Sequence, residues 1–96
     1  ASSKGALNTM TKSMARNLGP IRVNAICPGF IQGDWLRQGM GDGKYEAVKE
    51  NLTKSTPLGL TVTPEEVAHG IYNFIEVSKV VTGETMLMDG GHHLII

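Results

Sequence analysis

The chain has 96 residues, 41% of them hydrophobic, and its nine basic and nine acidic side chains cancel to a formal net charge of zero. That length fits one small domain rather than two, and the absence of a Lys/Arg cluster along one face argues against a nucleic-acid surface. A single cysteine, Cys27, cannot form an internal disulfide, and no apolar run approaches the ~18 residues of a membrane helix. The expectation is therefore a cytoplasmic setting with neither membrane nor nucleic acid as partner.

The first expected element is a helix over residues 1–18. Leu7, Met10, Met14 and Leu18 recur at spacings of three and four and define one apolar stripe, while Ala1, Gly5, Ala6 and Ala15 keep other faces small. Gly19-Pro20 supplies the stop. "IRVNAIC" (21–27) reads as a strand, and apolar residues on both faces (Val23, Ala25, Ile26) suit a buried parallel sheet. Pro28-Gly29 ends it. Residues 30–56 are interrupted by Gly33, Gly39, Gly41 and Gly43, with one short helix expected from about Lys44 to Leu52. Such a segment, following the C-terminal end of a strand, is where open α/β sheets bind ligands.

Thr63-Pro64-Glu65-Glu66 is a helix start: a capping threonine, proline at the first helical position, and Glu66 completing a capping box. Val67, Ala68, Ile71, Phe74 and Ile75 then share one face, and the helix should end near Ser78. "VTGETMLMDGG" (81–91) gives a turn at Thr82-Gly83, a strand from about Thr85 to Met88, and a closing Asp89-Gly90-Gly91. A strand–helix–strand unit of this length implies a right-handed parallel crossover. Two parallel strands do not complete a sheet of this kind, so the expected fold class is α/β, as the end of a larger domain.

Three separate stretches, in order and at matching spacing, resemble the C-terminal part of the short-chain dehydrogenase/reductase family. "ASSKGAL" resembles the continuation of a Tyr-x-x-x-Lys signature in which Lys4 is the lysine and the tyrosine would lie immediately before Ala1. "IRVNAICPGFI" resembles the family's sixth strand with its Pro-Gly turn, and "VTGETMLMDGG" its seventh strand. The resemblance implies that residues 1–96 are the C-terminal portion of a single doubly wound, Rossmann-type domain binding NAD or NADP. It also implies hydride transfer between that cofactor and a small-molecule alcohol or carbonyl, in a homodimer or homotetramer. Lys4 would support the tyrosine that exchanges the proton, since a cation one helical turn away lowers a phenol's pKa, ordinarily ~10, and would also bind the nicotinamide ribose. Pro28, Gly29, Ile31 and Gly33 would meet the cofactor. Gly33 departs from the family's usual threonine and offers backbone only, with Gln32 or Asp34 as substitutes. Segment 30–56 would close over substrate, with Trp35, Leu36 and Met40 either lining an apolar pocket or packing the segment. On this reading the 96 residues alone are inactive.

Other motifs lead elsewhere. "YEAVK" also satisfies Tyr-x-x-x-Lys through Tyr45 and Lys49, but it follows a Gly-rich loop and reads as a structural pair. His92 and His93 are adjacent and point differently, without a third ligand, so no metal site is expected. His69 reads as packing or surface, and Cys27 as a small apolar residue before Pro28. The competing function is non-catalytic: an oligomerisation module presenting the helix over 1–18 and the last strand.

Overall fold

The computed structural model describes residues 2–96, with the side chains of Ser2, Ser3 and Lys4 outside that description. Helix α1 spans Ser2–Asn17. Its covered face follows the expected stripe only at Leu7 and otherwise includes Ala15, one of the small residues of the other faces. Thr11 is buried and Leu7 and Ala15 are half-buried, whereas Met10, Met14 and Leu18 are 54%, 40% and 42% exposed. Gly83 lies against Ala15: a Cβ placed on Gly83 would stand 3.5 Å from the Ala15 Cβ. Thr11 tolerates burial because its hydroxyl donates to the Leu7 carbonyl at 2.7 Å.

Strand β1 covers only Ala25–Pro28, shorter than the expected 21–27. Ahead of it, other bonds take the place of a ladder. Val23 accepts the Gly83 N–H at 2.7 Å and donates its own to the Thr82 hydroxyl. The Asn24 amide donates to the Val81 carbonyl and accepts the Glu84 N–H, each at 3.0 Å. Strand β2, Thr85–Met88, falls where expected and pairs with β1. The Ala25 N–H meets the Glu84 carbonyl and the Gly29 N–H meets the Met88 carbonyl, the same offset at both ends, which makes the pair parallel.

Two helices stand where one was expected between β1 and residue 56: α2, Asp34–Met40, and α3, Asp42–Ser55. Gly33 and Gly41, both at positive φ, mark the helix ends, while Gly39 and Gly43 lie inside. Asp34 and Asp42 each occupy a first turn, where the helix dipole favours a carboxylate. Helix α4, Pro64–Tyr72, starts on the expected cap. The Thr63 hydroxyl accepts the Glu66 N–H at 3.2 Å and donates to the Glu66 carboxylate at 2.9 Å. The chain then widens over Asn73–Val77, where Ser78 donates to the Asn73 carbonyl five residues back, and stops at Ser78. Arg22 closes this end, its guanidinium donating to the carbonyls of Phe74, Ile75 and Ser78 at 2.6, 3.0 and 3.1 Å. Of the expected apolar face, Val67 and Phe74 are half-buried, but Ile71 and Ile75 are 47% and 57% exposed.

The architecture is a partial α/β domain with a small parallel sheet. It gathers into two compact units: residues up to Cys27 with Ala68–Leu87, and Pro28–Val67 with Met88–Ile96. Among the described residues the buried apolar side chains are Cys27 in the first unit and Tyr45 and Val62 in the second. No described helix is long and apolar enough to cross a membrane.

Candidate active site

The second unit carries the site, which begins where β1 ends. Pro28 cannot donate to a ladder, and the strand stops there. At Gly29 the backbone runs so close to Asp89 that a Cβ on residue 29 would lie 2.8 Å from the Asp89 Cβ and 3.1 Å from its Cα. Only glycine fits that approach. The next residues form a single parallel bridge between Ile31 and Val62. Val62 donates to the Phe30 carbonyl at 3.1 Å and accepts from the Gln32 N–H at 2.7 Å. Because peptide groups alternate along an extended chain, Ile31 turns its own N–H and C=O to the opposite edge.

Around this edge lies a cavity of about 440 Å³ lined by Gly29, Ile31, Gly33, Trp35, Leu36 and Pro64, together with Gln32 and Asp34. Trp35 is 84% exposed at its rim. The Gln32 amide is engaged, donating to the Thr61 hydroxyl at 2.7 Å. Among the described residues of the lining Asp34 is the one ionisable side chain, and it lies exposed in the first turn of α2. The lining combines apolar surface, two glycines whose N–H groups are already taken by the Met88 carbonyl and the Tyr45 hydroxyl, and Ile31, whose peptide groups the bridge to Val62 leaves unused. That set suits a flat, largely apolar ring carrying an amide, which the backbone could both donate to and accept from. The site has room for a nicotinamide.

Two further groups hold the pocket's residues. Tyr45, on α3, is 2% exposed, and its hydroxyl accepts the Gly33 N–H at 3.0 Å. Asp89 is buried, but each carboxylate oxygen is satisfied: Oδ1 accepts the Gly91 N–H at 3.0 Å, Oδ2 accepts the His93 N–H at 2.9 Å, and the His93 Nδ1 lies 2.8 Å from Oδ1. Burial by itself pushes this carboxyl up, yet the hydrogen bonds from the His93 ring and from the His93 and Gly91 backbone outweigh it and hold its pKa below the usual value.

Of the residues singled out in the sequence, the cavity brings together Gly29, Ile31, Gly33, Trp35 and Leu36, with the suggested substitutes Gln32 and Asp34. Pro28 and Met40 are half-buried and do not line it. Lys4 belongs to α1 by its backbone, and its side chain lies outside the described residues. Sequence reasoning missed Pro64, which it used only as a helix starter, and the bond from Gly33 to Tyr45. No spacing rule predicts a contact between a loop glycine and a tyrosine twelve residues on.

Comparison with known proteins places these features in a larger frame. Residues 1–93 match the family described as Enoyl-(Acyl carrier protein) reductase. A 3-oxoacyl-(acyl-carrier-protein) reductase of Chlamydia pneumoniae is 35% identical over 94 residues, covering 95% of this chain and 36% of the relative. A 3alpha-hydroxysteroid dehydrogenase of Mediterraneibacter gnavus is 39% identical over 91 residues, 92% of this chain and 34% of the relative. The crystal structure of a small-chain dehydrogenase in complex with NADPH superposes with a TM-score of 0.83 at 31% identity, over 94% of this chain and 40% of that one. The chain thus spans little more than a third of the length of the proteins it matches.

Proposed function

Because the chain belongs to the short-chain dehydrogenase/reductase family, we propose that it works as the C-terminal portion of a longer NAD(P)-dependent oxidoreductase acting on an alcohol or carbonyl. The observation that carries this reading is the cavity at the end of β1, which gathers Ile31, with peptide groups unused by its bridge to Val62, and Gly29 and Gly33 beside Trp35, Leu36 and Pro64. The cofactor, when bound, supplies or accepts the hydride.

The chain's own residues have separate tasks. Ile31 holds the nicotinamide carboxamide through backbone groups, the Pro28-Gly29 turn lets the chain approach the ring, and Gly33 leaves space beside it, since a Cβ there would meet nothing within 4 Å. Trp35 and Leu36 exclude water from the substrate side, with Met40 packing the segment 30–56 behind them. Lys4 carries the charge that lowers the pKa of the proton-exchanging tyrosine and binds the nicotinamide ribose. The small share of each relative that the chain spans supports activity of the longer protein, with the 96 residues alone inactive; the proposal extends to a cytoplasmic homodimer or homotetramer.

The test is turnover of the intact protein with NADPH or NADH and simple ketones. Replacing Lys4 with Ala should lower kcat about a hundredfold or more, in keeping with the loss of an acid–base assistant. Unchanged kcat would remove Lys4 from the chemistry. A second reading, an oligomerisation module without catalysis, is favoured by the exposed Met10, Met14 and Leu18 of α1. It requires self-association without any nicotinamide-dependent turnover.

A further inference from the structure

Tyr45 is the most deeply buried large side chain described, and nothing in the proposed reaction uses it. Its ring lies tilted at 45° to Phe30 with centroids 5.2 Å apart, and the Arg37 Cζ stands 4.4 Å from its centroid. Arg37 is fixed in turn by Glu46 at 2.9 Å, with Asp42 at 3.5 Å. The hydrogen bond to Glu46 holds the guanidinium's pKa above its ordinary value, against the effect of burial and with help from Asp42. One side chain of α3 therefore touches the segment leaving β1 through Phe30, α2 through Arg37, and the pocket wall through the Gly33 N–H.

The glycine at 33 acquires a reason from this contact. No neighbour lies within 4 Å of where its Cβ would be, so space does not demand glycine; its φ of +149° does. That backbone conformation accompanies a peptide N–H aimed at the Tyr45 hydroxyl rather than at a ligand. A residue with a side chain would resist the conformation and weaken the bond.

We infer that Tyr45 and Gly33 act as a coupled positioning pair: the phenol fixes the peptide at 33, and with it the wall that the pocket presents to cofactor and substrate. Tyr45 is a positioning residue and touches no reacting atom. The inference rests on the reading of the cavity as a nicotinamide and substrate site, and it separates the buried Tyr45 from the catalytic Tyr-x-x-x-Lys pattern that it imitates.

The experiment is a double-mutant cycle in the intact protein with Tyr45→Phe, Gly33→Thr and the double variant. Two readouts are needed: amide hydrogen exchange over residues 33–40, and steady-state kinetics. Tyr45→Phe removes the hydroxyl but keeps the ring against Phe30 and Arg37. It should raise exchange over 33–40 about tenfold, as expected for one lost hydrogen bond, and leave exchange in α1 unchanged. KM should rise about three- to tenfold with kcat within about twofold. Gly33→Thr should behave alike, and the double variant should be no worse than the worse single one, because both changes break the same bond. Unchanged exchange in Tyr45→Phe, or effects that multiply in the double variant, would overturn the pairing. Should the parent protein show no nicotinamide-dependent turnover, the oxidoreductase reading fails, and the exchange cycle alone decides the pair.

Discussion

Asp89 and Gly29 show how one residue pair ties the closing turn to the pocket. The approach of their backbones leaves no room for a side chain at 29, and the Asp89 carboxylate is held in place by three donors. The depressed pKa of Asp89 fixes the sign of its pH dependence. The stabilisation is fully present above the unfolded carboxylate value of about 4, and is lost as pH falls through the still lower folded value. Hydrogen exchange over residues 89–94 should therefore be constant from neutral pH down to about 4, after correction for intrinsic rates, and accelerate only below it. In Asp89→Asn that acid step should be missing. A step of the same size in both proteins would assign the acid sensitivity to another group.

Among the elements, those with local chemistry were legible in the sequence and those decided by distant neighbours were not. The Thr63 cap, the Pro28-Gly29 stop and strand β2 follow from short-range rules and fall where those rules put them. On α1 the apolar stripe is covered at Leu7 but exposed at Met10, Met14 and Leu18, while Ala15 meets the turn at Gly83, a contact with a residue 68 positions on that no local pattern ranks. Helix α2 was missed because its glycines look like breakers, although Gly33 and Gly41 punctuate helices rather than prevent them. Arg22 belongs to the same class. It reads as an ordinary charge in a strand-like stretch, yet it satisfies the orphan carbonyls at the end of the α4 extension some fifty residues later. Arg22→Ala should cost about 2 kcal/mol, since charge-assisted bonds to the part-buried carbonyls of Phe74 and Ser78 and the exposed one of Ile75 are lost together. Denaturant unfolding of the intact protein measures it. A change within the noise of an ordinary surface substitution would mean that water replaces the guanidinium.

Among the described residues each unit buries few apolar side chains, Cys27 in one and Tyr45 and Val62 in the other, while apolar side chains such as Ile21, Trp35, Val77 and Leu94 remain exposed. The lining of the cavity was partly legible: Gly29, Ile31, Gln32, Gly33, Asp34, Trp35 and Leu36 were singled out from the Pro-Gly turn and its resemblance alone. What the sequence did not disclose is the scaffold behind them, Tyr45 above all, because burial and hydrogen-bond partners depend on the folded chain. The central claim is that the cavity after β1 receives the nicotinamide. The most direct measurement is a titration of the intact, isotope-labelled protein with NADPH and NADH, following the amide resonances of Ile31 and Gly33. Saturable binding that moves the Ile31 amide strongly is the predicted result. Saturable binding that leaves Ile31 and its neighbours unmoved, or no binding of either cofactor, would contradict it.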